Sequence, residues 1–243
     1  LDAKMGCEYG DLANLDPHGK CAIPVIDSNG YALLIGDSHA GMLSEGFVTA
    51  SHKIGLGAVI AVNGNHPFLF RPWDMETTRN EYPYRAIESW VDRDVKPSVV
   101  VIAQSGYAMG NTDGSSWSVQ FIPILKRLSE LGIPAVVAEA AVGANIEPRS
   151  CSPLQDLVGK CPADIARATS ILDENRSGRT VEESKAVRAV DNAVLMDTLP
   201  VLCPATDCPM RRNGEWKWRD SAHISITASH VLAPLIAKKM LEA

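Results

Sequence analysis

Three observations predict an α/β fold in which helices cover both faces of a central parallel sheet. Four short apolar runs follow one another along the chain, at 31–36 (YALLIG), 56–62 (LGAVIAV), 97–103 (PSVVVIA) and 133–140 (IPAVVAEA). Such runs suit strands buried on both faces. Segments of helical character separate them, and strands alternating with helices are the signature of a three-layer α/β/α sandwich. Finally, 243 residues at 46% hydrophobic supply one large core.

The elements follow in order. Residues 1–30 lack periodicity and carry turn formers in NLDPHGK and DSNG, so they read as an irregular leader pinned by a disulfide. The single domain runs from 31 to 243. Its first strand leads into the helical stretch HAGMLSEGFVTASHK, its second precedes YRAIESWVDRDV, and its third precedes WSVQFIPILKRLSEL. After the fourth strand, the tract 147–162 (EPRSCSPLQDLVGKCP) breaks the rhythm and reads as a surface loop, either overhanging the site or ornamenting a far edge. TVEESKAVRAVDNAVLMDTL then predicts one long helix. Asn213-Gly214, between strand-like flanks, is the strongest hairpin signal in the chain. The last helix, TASHVLAPLIAKKML, is expected to be interrupted at Pro234.

Composition excludes some functions. The 23 basic and 29 acidic residues leave a formal charge of −6, with no basic stripe to neutralise a nucleic-acid backbone. No apolar run approaches the roughly 20 residues of a membrane-spanning helix. The chain begins at Leu1 without Met or signal peptide, as a processed product or excised domain would. Six cysteines fall into local pairs, Cys7 with Cys21, Cys151 with Cys161 and Cys203 with Cys208, each bracketing a stretch rich in Gly, Pro or Asp. None has CxxC spacing, so disulfides are favoured over zinc. Six thiols allow 15 connectivities, and six reduced, buried thiols are the alternative. Disulfides would place the domain outside the cytosol.

The exit of the first strand carries Gly36, Asp37, Ser38 and His39. Ligands of parallel α/β sheets gather at the carboxyl ends of strands. A serine at a strand-to-helix turn lifts its hydroxyl clear of the sheet, beside backbone N–H groups able to hold an oxyanion. Helix capping by Asp37 and Ser38 is the plainer explanation. A serine nucleophile needs a base, and WRDSAHIS supplies one: Asp220 precedes His223 by three residues, just before the last helix. Here too a cap is the alternative. His18, His52, His66 and His230 read as surface or packing residues.

GDSH at the first strand's exit and DSAH near the carboxyl terminus resemble the first and last blocks of the SGNH (GDSL-like) hydrolases, whose fold is a flavodoxin-like α/β/α sandwich. More narrowly, LLIGDSHAGML, AVNGNHPFL, CPMRRNGEWKWRDSAHIS and the paired cysteines are similar to the extracytoplasmic SGNH domain fused to acyltransferase type 3 membrane proteins, which O-acetylate bacterial surface glycans. The resemblance implies Ser38 as nucleophile, His223 as base and Asp220 as its orienting partner. It implies an oxyanion hole from the Ser38 and Gly64 backbones, although Gly64 also suits a plain turn. The family's GxND asparagine is absent after the third strand, leaving Gln104, Ser105, a backbone group or nothing, with Asn111 a later candidate. One such donor is typically worth about 2.7–4 kcal/mol. Ala228 stands where the family's final helix usually begins with glycine.

The resemblance thus implies an O-acetyltransferase working through an acyl-serine on a polysaccharide or lipid-linked glycan at the periplasmic face. The acetyl group would come ultimately from acetyl-CoA through a membrane domain absent from this sequence. An acetylesterase using the same residues is the alternative, as is a silent glycan-binding module in which Trp216 and Trp218 share a strand face and stack on a sugar. No residue pattern points to a bound cofactor or metal.

Overall fold

A computed structural model describes residues 6–64, 66, 68–69, 82–91, 93–105, 117–139, 151–152, 154–155, 158, 181–204, 210–212 and 214–243. The four predicted strands are present as β2 (Tyr31–Gly36), β3 (Gly57–Val62), β4 (Val99–Ala103) and β5 (Ala135–Ala138). All four are buried along their whole length, which is why they read as unbroken apolar runs. Two further strands complete the sheet: β1 (Ala22–Ile23) on one edge and β6 (Ala193–Met196) on the other, in the order β1-β3-β2-β4-β5-β6.

The five strands from β3 to β6 are parallel, whereas β1 pairs antiparallel with β3. The leader is therefore not wholly irregular. It contributes a strand, a 3-10 turn at Leu12–Leu15 and the buried side chains of Tyr9 and Leu15. A disulfide joins Cys7 to Cys21, and both cysteines accept β3 amides on their carbonyls, from Val62 at 2.7 Å and Ile60 at 3.2 Å. Cys151 and Cys203 are also disulfide-bonded. Their expected partners, Cys161 and Cys208, lie outside the described residues, as does most of the tract 147–162.

Residues alternate between the two faces of the sheet, as strand geometry requires. On one face Ala32, Leu34, Ala58, Ile60 and Val101 pack beneath α1 (Ser38–Lys53) and the last helix, α6 (Ile226–Glu242). On the other, Leu33, Ile35, Val59, Val100 and Ile102 meet α2 (Tyr82–Glu88), α3 (Trp117–Glu130) and α4 (181–187). A short helix, α5 (Leu199–Leu202), and the hairpin β7 (Arg211–Arg212) with β8 (Glu215–Trp216) lead towards α6. No helix among the described residues is long and apolar enough to cross a membrane.

Two sequence expectations are corrected. The long helix expected over 180–199 stops near residue 187, and Ala193–Met196 forms β6. The chain turns at Asp191 and Asn192; the Asn192 carbonyl accepts the Ala135 N–H, and its side chain donates to the Ile133 carbonyl at 3.2 Å. The last helix is not interrupted at Pro234 but runs through it. Pro234 is exposed, as is His230 four residues earlier, so the carbonyl left without its amide lies on the solvent side of the helix. The hairpin expected around Asn213-Gly214 is present: Arg211 pairs with Trp216 and Arg212 with Glu215, and Gly214 has φ 82°, while Asn213 itself lies outside the described residues.

Candidate active site

The strand order sets the location. Counting only the parallel strands, the chain runs outward from β2 in both directions, so β2 and β4 flank the topological switch point where open α/β sheets leave a crevice. Ser38 leaves β2 there, and Gln104 and Ser105 leave β4.

Gly36 makes the turn possible. Its φ of +145° disfavours other residues, and a Cβ would stand 1.8 Å from the Ala103 carbonyl oxygen. Asp37 follows, 0% exposed, and it does cap α1: one carboxylate oxygen accepts the His39 N–H at 2.8 Å. The other accepts the Ser105 N–H at 2.7 Å, tying the exits of β2 and β4 together. Capping thus explains Asp37 and leaves Ser38 unexplained. Ser38 is the first residue of α1, half-buried, and its hydroxyl has no hydrogen-bond partner among the described residues. The amides of His39, Ala40 and Gly41 all bond to Asp37, whereas the Ser38 N–H donates to nothing described.

At the far end of the sequence, a bridge between Trp218 and Ile224 closes a tight loop, with Arg219 N–H donating to the His223 carbonyl and Ser225 N–H to that of Lys217. Within it, Asp220 accepts bonds from the Ala222 and His223 amides at 2.9 and 2.8 Å and lies 2.9 and 3.0 Å from His223 Nδ1. A carboxylate only accepts, so Nδ1 carries a proton, and in the neutral ring Nε2 carries the lone pair. Asp220 does not cap α6; Ser225 does, accepting from Ala228 N–H at 3.2 Å. Burial pushes the Asp220 carboxyl up, but the Ala222 amide, the His223 ring and amide, and imidazole charge together hold it below the usual value. Nε2 is buried and has no hydrogen-bond partner among the described residues.

The two ends meet through α1. The His39 and His223 rings lie 5.6 Å apart between centroids with planes at 60°, and the Ile224 N–H points to Met42 Sδ at 3.4 Å. The Asp220–His223 loop therefore packs against the residue that follows Ser38, and no direct hydrogen bond joins Ser38 to His223. His39, Met42 and the tie from Asp37 to Ser105 were missed by sequence reasoning; only the adjacency of His39 to Ser38 hinted at any of them.

The sequence matches the model of the SGNH domain family, described as fused to AT3 domains, over residues 6–238. The chain belongs to the SGNH domain family. This is the acyl-transfer and hydrolase class of α/β enzymes. The fold of this SGNH domain is also that of the periplasmic domain of a lipopolysaccharide acetyltransferase from Salmonella ser. Paratyphi A, at 20% identity and a TM-score of 0.66, covering 96% of this chain and 94% of that one. A GDSL-like lipase from Bacteroides thetaiotaomicron shares it at 11% identity and a TM-score of 0.52, covering 97% and 99%. No curated protein matches this chain in sequence.

The remaining candidates of the SGNH site fall as follows. Gly64 lies two residues past the end of β3, is exposed, and has no positive φ. A Cβ there would have no atom within 4 Å, so neither turn geometry nor crowding demands glycine. Its N–H donates to nothing described. The Ser105 backbone amide donates to Asp37. Gln104 is buried, and Asn111 lies outside the described residues. Trp218 cannot stack on a sugar, being 0% exposed in the core, and Trp216 lies under the Arg211 guanidinium at 3.7 Å. His52 and His230 make packing contacts, to the Ile23 carbonyl and Thr49.

Proposed function

We propose that this SGNH domain is an O-acetyltransferase that passes an acetyl group through Ser38 to a hydroxyl of a bacterial surface glycan. The observation that carries the reading is the orientation of His223. Asp220 fixes its Nδ1–H, and Nε2 is left as a buried, unpartnered base on a loop packed against the helix turn that bears Ser38.

Nε2 takes the Ser38 proton, and Oγ attacks the acetyl carbonyl. The oxyanion is held by the Ser38 and Gly64 N–H groups, both without acceptors among the described residues. As the donor's leaving group departs it takes the proton from Nε2. A sugar hydroxyl then gives its proton to Nε2 and bonds to the acetyl carbon, the bond from that carbon to Ser38 Oγ breaks, and Nε2 returns the proton to Oγ. Asp220 maintains the tautomer throughout. An acyltransferase type 3 membrane domain, the kind of domain to which the family is described as fused, would deliver acetyl groups drawn from acetyl-CoA to the periplasmic face.

Hydrolysis by the same triad is the second reading. Mixing the domain with a chromogenic acetyl ester and a bacterial surface polysaccharide separates the two: acetylated polysaccharide formed alongside chromophore supports transfer, and acetate formed at a rate indifferent to polysaccharide supports an esterase.

A further inference from the structure

We propose that His39 is a positioning residue that walls the base off from bulk water, so that the acyl-serine waits for a sugar hydroxyl. The inference rests on the acyl-serine reading above. His39 is the second residue of α1 and only 5% exposed, with its backbone fixed by the bond from its N–H to Asp37. Its ring packs against that of His223 at 5.6 Å. The His223 side chain as a whole is 21% exposed, yet Nε2 is shut away from solvent. One part of the imidazole is wet and its reacting nitrogen is dry.

Orientation does not need His39. Both Asp220 oxygens lie within 3.0 Å of Nδ1, and the same carboxylate accepts the His223 amide, so the ring is held through Nδ1 and the backbone through its N–H. What a neighbouring buried ring adds is cover. Deacylation requires an O–H group to reach Nε2: its oxygen bonds to the acetyl carbon, the bond from that carbon to Ser38 Oγ breaks, and the proton passes through Nε2 to Oγ. Water and a sugar hydroxyl compete for this one step. A polar gap left by removing the imidazole admits water, each molecule of which takes about 30 Å³ in the liquid, whereas a glycan held by contacts outside the gap gains nothing from it.

The test is the lifetime of acetyl-Ser38 in water without any acceptor. Wild type, His39→Ala, His39→Phe and Ser38→Ala are mixed with p-nitrophenyl acetate, and acid-quenched samples are read by intact mass. The expected result is an adduct on wild type, absent from Ser38→Ala, that decays roughly tenfold faster in His39→Ala and regains its wild-type lifetime in His39→Phe, which restores bulk without a ring nitrogen. General damage to the site would lengthen the lifetime, not shorten it. An unchanged or longer lifetime in His39→Ala, or failure of His39→Phe to restore it, overturns the inference alone. No adduct on wild type overturns the acyl-serine reading and the inference with it.

Discussion

Gly46 of α1 and Ser229 of α6 touch backbone to backbone. A Cβ on Gly46 would stand 2.0 Å from the Ser229 carbonyl oxygen, and the Gly46 N–H points to Ser229 Oγ at 2.9 Å. This crossing locks the helix that begins at Ser38 to the helix that begins just after His223. It therefore couples the placement of the two helices that follow Ser38 and His223.

Gly46→Ala tests that role. On an isolated helix the change gains about 1 kcal/mol, but here the methyl meets a carbonyl, and overpacking costs typically about 1–3 kcal/mol. We expect lower thermal stability together with reduced acetyl-ester turnover. A variant as stable and as active as wild type would show that the crossing does not govern the site.

Asp220 couples activity to acid stability. Its folded carboxyl titrates below its ordinary 3.8, so the charged form favours the folded state. That contribution is present above about pH 4 and is lost as pH falls through the lowered folded value. Asp220→Asn removes it, so urea midpoints of wild type and variant differ most above about pH 4 and converge below it. A gap that stays constant down to about pH 2 contradicts the assignment. In the same variant the wrong tautomer lowers turnover by about three to four orders of magnitude.

The two tryptophans next to the site separate packing from binding. Trp218→Ala removes a fully buried ring and costs about 3–5 kcal/mol. Trp216→Ala removes a partly buried ring from the margin of the core together with its contact with Arg211. We expect a large fall in unfolding midpoint for the first, a small one for the second, and no change in polysaccharide binding for Trp216→Ala by calorimetry. Lost binding in that variant would revive a sugar platform.

How far the sequence announced this molecule depends on the range of the interactions involved. Strands β2 to β5 were legible because burial on both faces leaves only apolar letters. β6 was not: its four apolar residues follow α4 closely and suit a helix face as well as a half-buried edge strand. Ser38, Asp220 and His223 stood out as side chains of the right chemistry at element ends. The tie from Asp37 to Ser105 spans 68 residues and the contact of Gly46 with Ser229 spans 183, and no local pattern encodes either.

The leader's disulfide braces β3 just before Gly64. Cys7 and Cys21 are 14 residues apart, and cross-linking a loop of that size contributes about 3 kcal/mol. Replacing both with serine should lower the melting temperature by roughly 6–12 °C, read by scanning calorimetry. An unchanged melting temperature would show that the leader is not coupled to the cooperative fold.

The central claim is that Ser38 is a nucleophile activated by His223. Intact-mass analysis after treatment with a serine-directed fluorophosphonate tests it most directly. One adduct is expected on the native domain, mapped to Ser38, absent from Ser38→Ala and strongly slowed in His223→Ala. An unlabelled native domain, or an adduct that persists undiminished in Ser38→Ala, would contradict it.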